Sequence, residues 1–410
     1  MIYDLVVIGG GPAGIMASTI ASQNKNLKII ILDRNRVFGR KLLLTGKGRC
    51  NITHNELDFK KMIASYNQSA KFLYSGFSQF GVKETLDFFK KNGLDLKVER
   101  GNRYFPNDDD SQSVLDFFNL KLKENNAEML FSVNVVKINV KNKKIISIEL
   151  SDGREIEGKN FLISTGGKSY PITGSDGFMF SLIKKLGHNI IDLTPALVPL
   201  TVKNEWVKKL SGLSLKNVEI TIKNTKKKIL GEMLFTHFGI SGPIVLNLSN
   251  GIVKLLTKGN IFINLDLKPG LTEKQLDLRL QKDFEKYSNH DFKNSLNDLL
   301  PQNLIESILK LSNIDIHKKV HQVTKEERLK LIKLLKYIEI EINGHLGFDT
   351  AIVTSGGVDT KEIDQKTMKS KIIDNLYFAG EVIDIDGKTG GYNLQMCWTT
   401  GYLVGKNFIN

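Results

Sequence analysis

Tyr3 to Ile8 reads YDLVVI, a short apolar run rich in β-branched residues, the pattern of a strand buried on both faces. Ile15 to Ser22 (IMASTIAS) has the composition of a helix, and Leu27 to Leu32 (LKIIIL) is a second buried strand. Phe72, Leu73, Phe77, Phe80, Leu86 and Phe89 recur near a helical period, so residues 70–92 are expected to be helical. KVERGNRYF (97–105) reads as a hairpin and residues 114–125 as a further amphipathic helix. Strands are expected at 129–139, 145–150 and 155–157, then a buried strand at 160–164 that runs into Thr165-Gly166-Gly167. This succession continues a doubly wound sheet through a β-meander.

From about residue 192 the pattern changes to short strands separated by polar turns, at 196–202, 215–222, 228–235 and 260–265. They predict an antiparallel, barrel-like insert. Residues 271–335 turn helical and highly charged, and 338–353 become strand-like again. A last buried strand (LYFAG) leads into a glycine-rich loop and a closing helix from about Asn393. The expected architecture is α/β. Residues 1–191 and 355–410 are expected to form a Rossmann-like dinucleotide-binding domain, 192–270 and 336–354 an antiparallel β-barrel-like insert, and 271–335 a small helical sub-domain. Four glycine-bearing segments point to the cofactor.

The first segment is GGGPAG, in which Gly9, Gly11 and Gly14 hold the G-x-G-x-x-G spacing directly after a strand. Such glycines permit the tight turn, the approach of backbone to a pyrophosphate and the close packing of the next helix. The second strand ends at Asp33, where a ribose-binding acid is expected roughly 20 residues after the glycines. No second fingerprint of this kind follows, and the fold that opens at the N-terminus closes only at the C-terminus. That argues for one flavin dinucleotide, FAD, with the insert as a substrate cap. The second segment, Thr45 to Asn51 (TGKGRCN), combines small residues, two cations and an amide, which suits a pyrophosphate and flavin carbonyls, a basic surface loop being the alternative. The third is Thr165-Gly166-Gly167. The fourth, Gly380 to Gln395, would aim a helix N-terminus near Asn393 at the N1–C2=O edge of an isoalloxazine, with Asp384 on the ribityl chain.

Composition excludes more than it assigns. The 410 residues contain no long uninterrupted apolar run and no charged-then-apolar leader, so a soluble cytoplasmic protein without a membrane span is expected. Cys50 and Cys397 lie far apart outside any C-x-x-C pattern, and the seven histidines show no ligand spacing, so neither a disulfide framework nor a metal site is expected. A net charge of +14 raises nucleic acid as a partner. Against it, the lysines are spread along the chain, and clusters such as Lys226-Lys227-Lys228 read as solvated turns. The oligomeric state is not encoded in any of these patterns.

The segments YDLVVIGGGPAG, GRKLLLTGKGRCNIT, GEMLFTHFGISGP and FAGEVIDIDGKTGGYNLQ resemble the YhiN/BaiN-type bacterial flavoproteins, relatives of the two-domain fumarate-reductase class. The resemblance spans nearly the whole chain and departs at Lys47, where the family usually has a small residue. It implies that FAD is held by Gly9, Gly11, Pro12, Ala13, Gly14, Asp33, Arg34, Lys41, Gly48, Arg49, Cys50, Asn51, Thr165, Gly166, Gly380, Glu381, Asp384, Gly391, Tyr392, Asn393, Leu394 and Gln395, with Val135 offering backbone contacts to adenine. For catalysis, His237 in THFGISGP is a candidate proton donor, a structural histidine being the alternative, and Tyr392 and Arg49 are candidate substrate-polarising groups. Cys50 is either a reactive thiol or a small buried residue beside the cofactor.

The expected activity is an FAD-dependent oxidoreductase. Hydride would enter at flavin N5 from transiently bound NAD(P)H and leave to an unsaturated or carbonyl-containing small molecule. The alternatives are an amine oxidase of the aminoacetone kind, an RNA-modifying flavoprotein, and a flavin-binding protein without turnover.

Overall fold

The computed structural model describes residues 1–225 and 227–409, and the fold is read from these. They form two compact units, Met1–Ala196 with Gly347–Asn410 and, between them in sequence, Leu197–Leu346.

The first unit is built on five parallel strands, β1 (Leu5–Ile8), β2 (Ile29–Leu32), β3 (Glu128–Leu130), β4 (Phe161–Ile163) and β5 (Leu376–Phe378), in the order β5-β4-β1-β2-β3. Every residue of β1 and β2 is buried, which is why these runs are apolar without alternation. Helix α1 (Pro12–Ala21) follows β1 and is buried from Ala13 to Ala21, all round rather than on one face. Its partner is the closing helix, α2 (Tyr392–Lys406). A Cβ added at Gly401 would lie 2.4 Å from the Ala13 carbonyl oxygen, and one at Gly405 would lie 2.6 Å from that of Ala17. Two glycines four apart therefore let the N- and C-terminal helices pack backbone to backbone.

The second unit contains a closed antiparallel barrel of six strands, in the order Leu200–Val202, Gly239–Ser241, Lys228–Thr236, Ser214–Ile222, Ile261–Asp266 and Ile338–His345. Helices Glu273–Lys286, Gln302–Ser312 and Lys325–Lys336 share its hydrophobic core, Leu280, Ile308 and Leu331 joining Ile220, Phe235 and Ile263. Lys336, buried at the end of the last helix, sits 2.6 Å from Asp266 on a barrel strand and donates to the Lys268 and Leu271 carbonyls.

Several expected elements divide in the structure. Residues 70–92 are not one helix. A 3₁₀ turn (Gln68–Leu73) and a short helix (Tyr74–Phe77) precede Val82–Lys91, and Gly81 breaks the run where its Cβ would meet the Phe77 carbonyl at 2.8 Å. The strand expected at 129–139 is two, β3 in the parallel sheet and Val135–Lys141 in an antiparallel meander, separated by a turn in which Ser132 has φ +58°. The strand expected at 196–202 ends one element and begins another, Ile190–Ala196 pairing with Val353–Val358 and Leu200–Val202 entering the barrel. Helix α2 begins one residue early, at Tyr392. Of the lysine cluster at 226–228, Lys226 lies outside the described residues, and Lys228 opens a strand and pairs with Glu219 rather than standing free in a turn. Among the described residues no helix is long and apolar enough to cross a membrane.

Candidate functional site

The turn from β1 into α1 has no room for side chains where it is tightest. A Cβ at Gly14 would lie 2.0 Å from the Gly9 carbonyl oxygen. At Gly11 the nearest atom would be 3.9 Å away, so that face of the turn is open. Gly11 caps α1 without a side-chain hydrogen bond and Pro12 occupies the first turn, which leaves the amides of that turn available to an anion. Asp33 closes the turn from the end of β2, its carboxylate accepting from Gly10 N at 2.8 Å and from Asn35 N at 2.8 Å and Nδ2 at 3.0 Å. Burial raises its pKa, against the pull of those hydrogen bonds. Val133 N donates to the Asp33 carbonyl at 3.1 Å, which brings buried Val135 to the same strand end. Arg34 turns away, bonding the Gly174 carbonyl and pairing with Asp176.

Lys41 and Glu381, 340 residues apart, meet in a shared polar cluster. The Lys41 ammonium is 3.0 Å from one Glu381 oxygen and donates to Ser169 Oγ at 2.6 Å. The other Glu381 oxygen accepts from Ser169 Oγ at 2.9 Å and from Thr354 N at 2.8 Å. Thr354 Oγ1 in turn accepts from the backbone of Lys168 and Ser169, so this carboxylate ties the Thr165-Gly166-Gly167 turn to the short helix Arg40–Leu44 and to the loop after β5.

In the 45–51 segment the residues expected to face a cofactor separate. Arg49 is engaged elsewhere, NH1 bonding Glu99 at 3.0 Å and Asp109 at 3.1 Å while its guanidinium lies 4.1 Å over the Phe105 ring. Gly48 has φ +85° and open space where a Cβ would be. Cys50 holds φ +59° and is fully buried, and burial pushes its thiol up to about 12, so of the two readings of Cys50 the geometry matches the buried small residue. With its amide oriented to satisfy both ends, Asn51 donates to the Thr53 and Tyr104 carbonyls and accepts from Gly391 N at 2.9 Å.

That last bond joins the segment to the C-terminal loop. A Cβ at Gly391, φ +99°, would lie 2.4 Å from the Thr53 carbonyl carbon, and one at Gly380 would lie 2.8 Å from Ala13 Cβ. The loop therefore touches both the strand Thr53–His54 and the start of α1. Within it Asp384 accepts from Ser69 Oγ at 2.7 Å, and Asn393 bridges Gly387 N and O at 2.8 and 3.0 Å. Asn67 donates to Asp386 at 2.8 Å while its own Oδ1 is buried without a partner among the described residues. Gln395 is fully buried between Thr53, Thr85 and Thr399 and rivets the first turn of α2, beside partly buried Leu394. The Tyr392 ring stacks on His54 at 4.7 Å and meets Tyr66 edge-on at 5.9 Å, and Tyr66 OH donates to the Tyr392 carbonyl at 2.6 Å. Burial raises the Tyr392 pKa, against a hydrogen bond with Ser65.

The first unit thus brings together all four glycine-bearing segments. His237 belongs to the second unit, exposed in the turn between the strands Lys228–Thr236 and Gly239–Ser241. His54, Tyr66, Asn67, Ser169 and Thr354 join the cluster without having been expected. Of these only Thr354 carried a signal, the glycine pair that follows it in TSGG. Two uncapped helix N-termini, an open glycine cradle, a buried acid at the end of β2 and a buried orphan amide oxygen are a donor and acceptor set that fits a dinucleotide. FAD would lie along Gly9–Gly14, Asp33, Thr165–Gly166 and Gly380–Gln395.

Comparison with known proteins agrees. The family model for the HI0933-like protein Rossmann domain matches residues 3–407. The chain is 31% identical to the 3-dehydro-bile acid delta(4,6)-reductase of Clostridium scindens, covering 98% of this chain and 97% of that protein. It is 29% identical to the ribosomal RNA dihydrouridine synthase of Escherichia coli, covering 99% and 98% respectively. In fold it is similar to the 3-ketosteroid delta1-dehydrogenase of Sterolibacterium denitrificans, with a TM-score of 0.55, 10% identity and 99% of each chain covered. The chain belongs to the HI0933-like family of FAD-binding Rossmann proteins and is an FAD-dependent oxidoreductase.

Proposed function

We propose that this protein is an NAD(P)H-driven reductase of a carbon–carbon double bond conjugated to a carbonyl. The observation that carries it is the full-length similarity to a reductase named for the 4 and 6 double bonds of a 3-dehydro steroid. In such a bond the carbonyl makes the β-carbon electron-poor, so hydride adds there and a proton adds at the α-carbon. Bound FAD supplies the two-electron carrier that takes hydride from NAD(P)H and passes it on. The first unit holds and orients it. His237, exposed in the second unit, is the candidate for that proton that the sequence offers. Arg49, committed to Glu99, Asp109 and Phe105, holds the 45–51 segment in place rather than polarising substrate.

A second reading is a uridine in RNA as the substrate. Uracil presents the same chemistry, a C5=C6 bond conjugated to the C4 carbonyl. Two observations favour it, the similarity to a ribosomal RNA dihydrouridine synthase and the charge of residues 197–346, where 24 Lys and Arg stand against 16 Asp and Glu. Anaerobic stopped-flow tests the shared reading. Flavin absorbance should bleach with NADH or NADPH and return on adding either an enone steroid or uridine-containing rRNA, whichever is the substrate. Slow bleaching with NAD(P)H and fast bleaching with amines would overturn both in favour of an amine oxidase.

A further inference from the structure

We propose that His54 is a positioning residue of the flavin site that couples its own protonation to reduction of the bound FAD through the Gly390–Tyr392 turn. The inference rests on the reading that the start of α2 faces the N1–C2=O edge of the isoalloxazine. His54 Nδ1 is 3.2 Å from the Gly390 carbonyl oxygen. A carbonyl only accepts, so Nδ1 carries the hydrogen, and the neutral ring has its lone pair on Nε2. Nε2 has no hydrogen-bond partner among the described residues, so a proton added there breaks no existing bond. The ring is held flat against Tyr392 at 4.7 Å with 22° between planes. The strand bearing His54 is fixed to the same turn by the backbone contact at Gly391 and by Gln395, which accepts from Thr53 Oγ1 at 2.6 Å. Gly391 caps α2 without a side chain, so the imidazole sits beside an open positive helix end.

When bound, FAD would supply a two-electron acceptor that on reduction takes up one proton of its own and gains negative charge at the edge that the start of α2 would face. A nearby negative charge favours the imidazolium, so reduction draws a second proton onto His54 Nε2. The charges around the ring allow this response. Burial of the ring disfavours the imidazolium, while the hydrogen bond to Gly390 and Glu56 on its own segment favour it. Arg103, its register partner on the adjacent strand, directs its guanidinium to the Arg100 carbonyl and the Phe105 ring. Tyr392 and Tyr66 stay neutral because burial raises both hydroxyl pKa values, and Lys388 is the cation of the loop preceding Gly390.

The test is the reduction potential of the FAD-loaded full chain from pH 5 to 8, measured by photoreduction against reference dyes, for the wild type and His54→Gln. The expected result is a slope of potential against pH that doubles over part of this range in the wild type. The variant should keep the single-proton slope, the two curves converging at the alkaline end. Equal slopes would overturn the proposal. If the variant fails to retain FAD, NMR titration of His54 in the oxidised and dithionite-reduced wild type decides. A higher pKa in the reduced protein supports the coupling, and equal values overturn it. Sulfite, whose binding to flavin depends on positive charge near N1, separates the two layers. Equal slopes with sulfite binding remove the role of His54 alone. Equal slopes without sulfite binding remove the placement of α2 as well.

Discussion

Glu381→Gln isolates the electrostatic part of the contact that joins the loop after β5 to the rest of the flavin site. The amide keeps an acceptor for Thr354 N and Ser169 Oγ, at 2.8 and 2.9 Å, but removes the charge opposite the Lys41 ammonium. Removing one partner of a buried ion pair typically costs about 3–5 kcal/mol, because the other charge stays desolvated. Here the two side chains are 23% and 14% exposed, so residual hydration of Lys41 reduces the expectation to about 2–3 kcal/mol. At about 2.1 cal/mol/K of unfolding entropy per residue, each kcal/mol lowers the melting temperature of the first unit, Met1–Ala196 with Gly347–Asn410, by about 2 °C, which sets the expected drop at roughly 4–5 °C. Thermal and urea unfolding of the FAD-free chain measure it directly. Lys41→Met with Glu381→Gln, which removes both charges, should restore part of the loss, with a coupling energy of about 1–2 kcal/mol in the double-mutant cycle. A loss below about 0.5 kcal/mol, or strict additivity, would show that the pair behaves as an exposed one and that the loop is held by its backbone hydrogen bonds alone.

Three further outcomes follow from the geometry. Gly391→Ala forces a Cβ to within 2.4 Å of the Thr53 backbone at φ +99°, so the FAD dissociation constant should rise at least about tenfold while far-UV circular dichroism is retained. His188, buried between Glu362 at 3.0 Å and Ser370 at 2.9 Å, has its pKa lowered by burial despite the pull of Glu362. The unfolded chain therefore binds its proton first on acidification, stability is full above about pH 6.5 and falls as the pH drops through the folded value, and His188→Gln should flatten that limb of urea midpoint against pH. Burial pushes the Cys50 and Cys397 thiols up to about 12, so neither should react with a thiol reagent at pH 8 until the chain is unfolded. Rapid labelling of the native FAD-loaded protein would contradict their burial.

Local rules were sufficient for the nucleotide unit. β1, the glycine turn, α1, β2 and Asp33 follow from hydrophobic runs, glycine spacing and one carboxylate within 33 residues, because each is decided by sterics or burial over a few neighbours. The same locality explains the misread boundaries. Gly81 and the turn at Ser132 interrupt apolar patterns that carry on through them, so periodicity alone joined elements that the tertiary structure assigns to different helices or sheets. It also explains Arg49, a cation whose position suggested a ligand and whose partners, Glu99 and Asp109, lie 50 and 60 residues away. The contacts that assemble the site are longer still. Lys41 with Glu381, His54 with Gly390 and Gly401 with Ala13 each join residues more than 300 apart, and no period or spacing records which distant segment a polar side chain will meet. Residue type fixed that this chain binds a dinucleotide. Only the packing of α2 against α1 and the strand Thr53–His54 decided which side chains gather at the glycine turns, because a hydrogen bond between segments exists only after the sheet between them has closed.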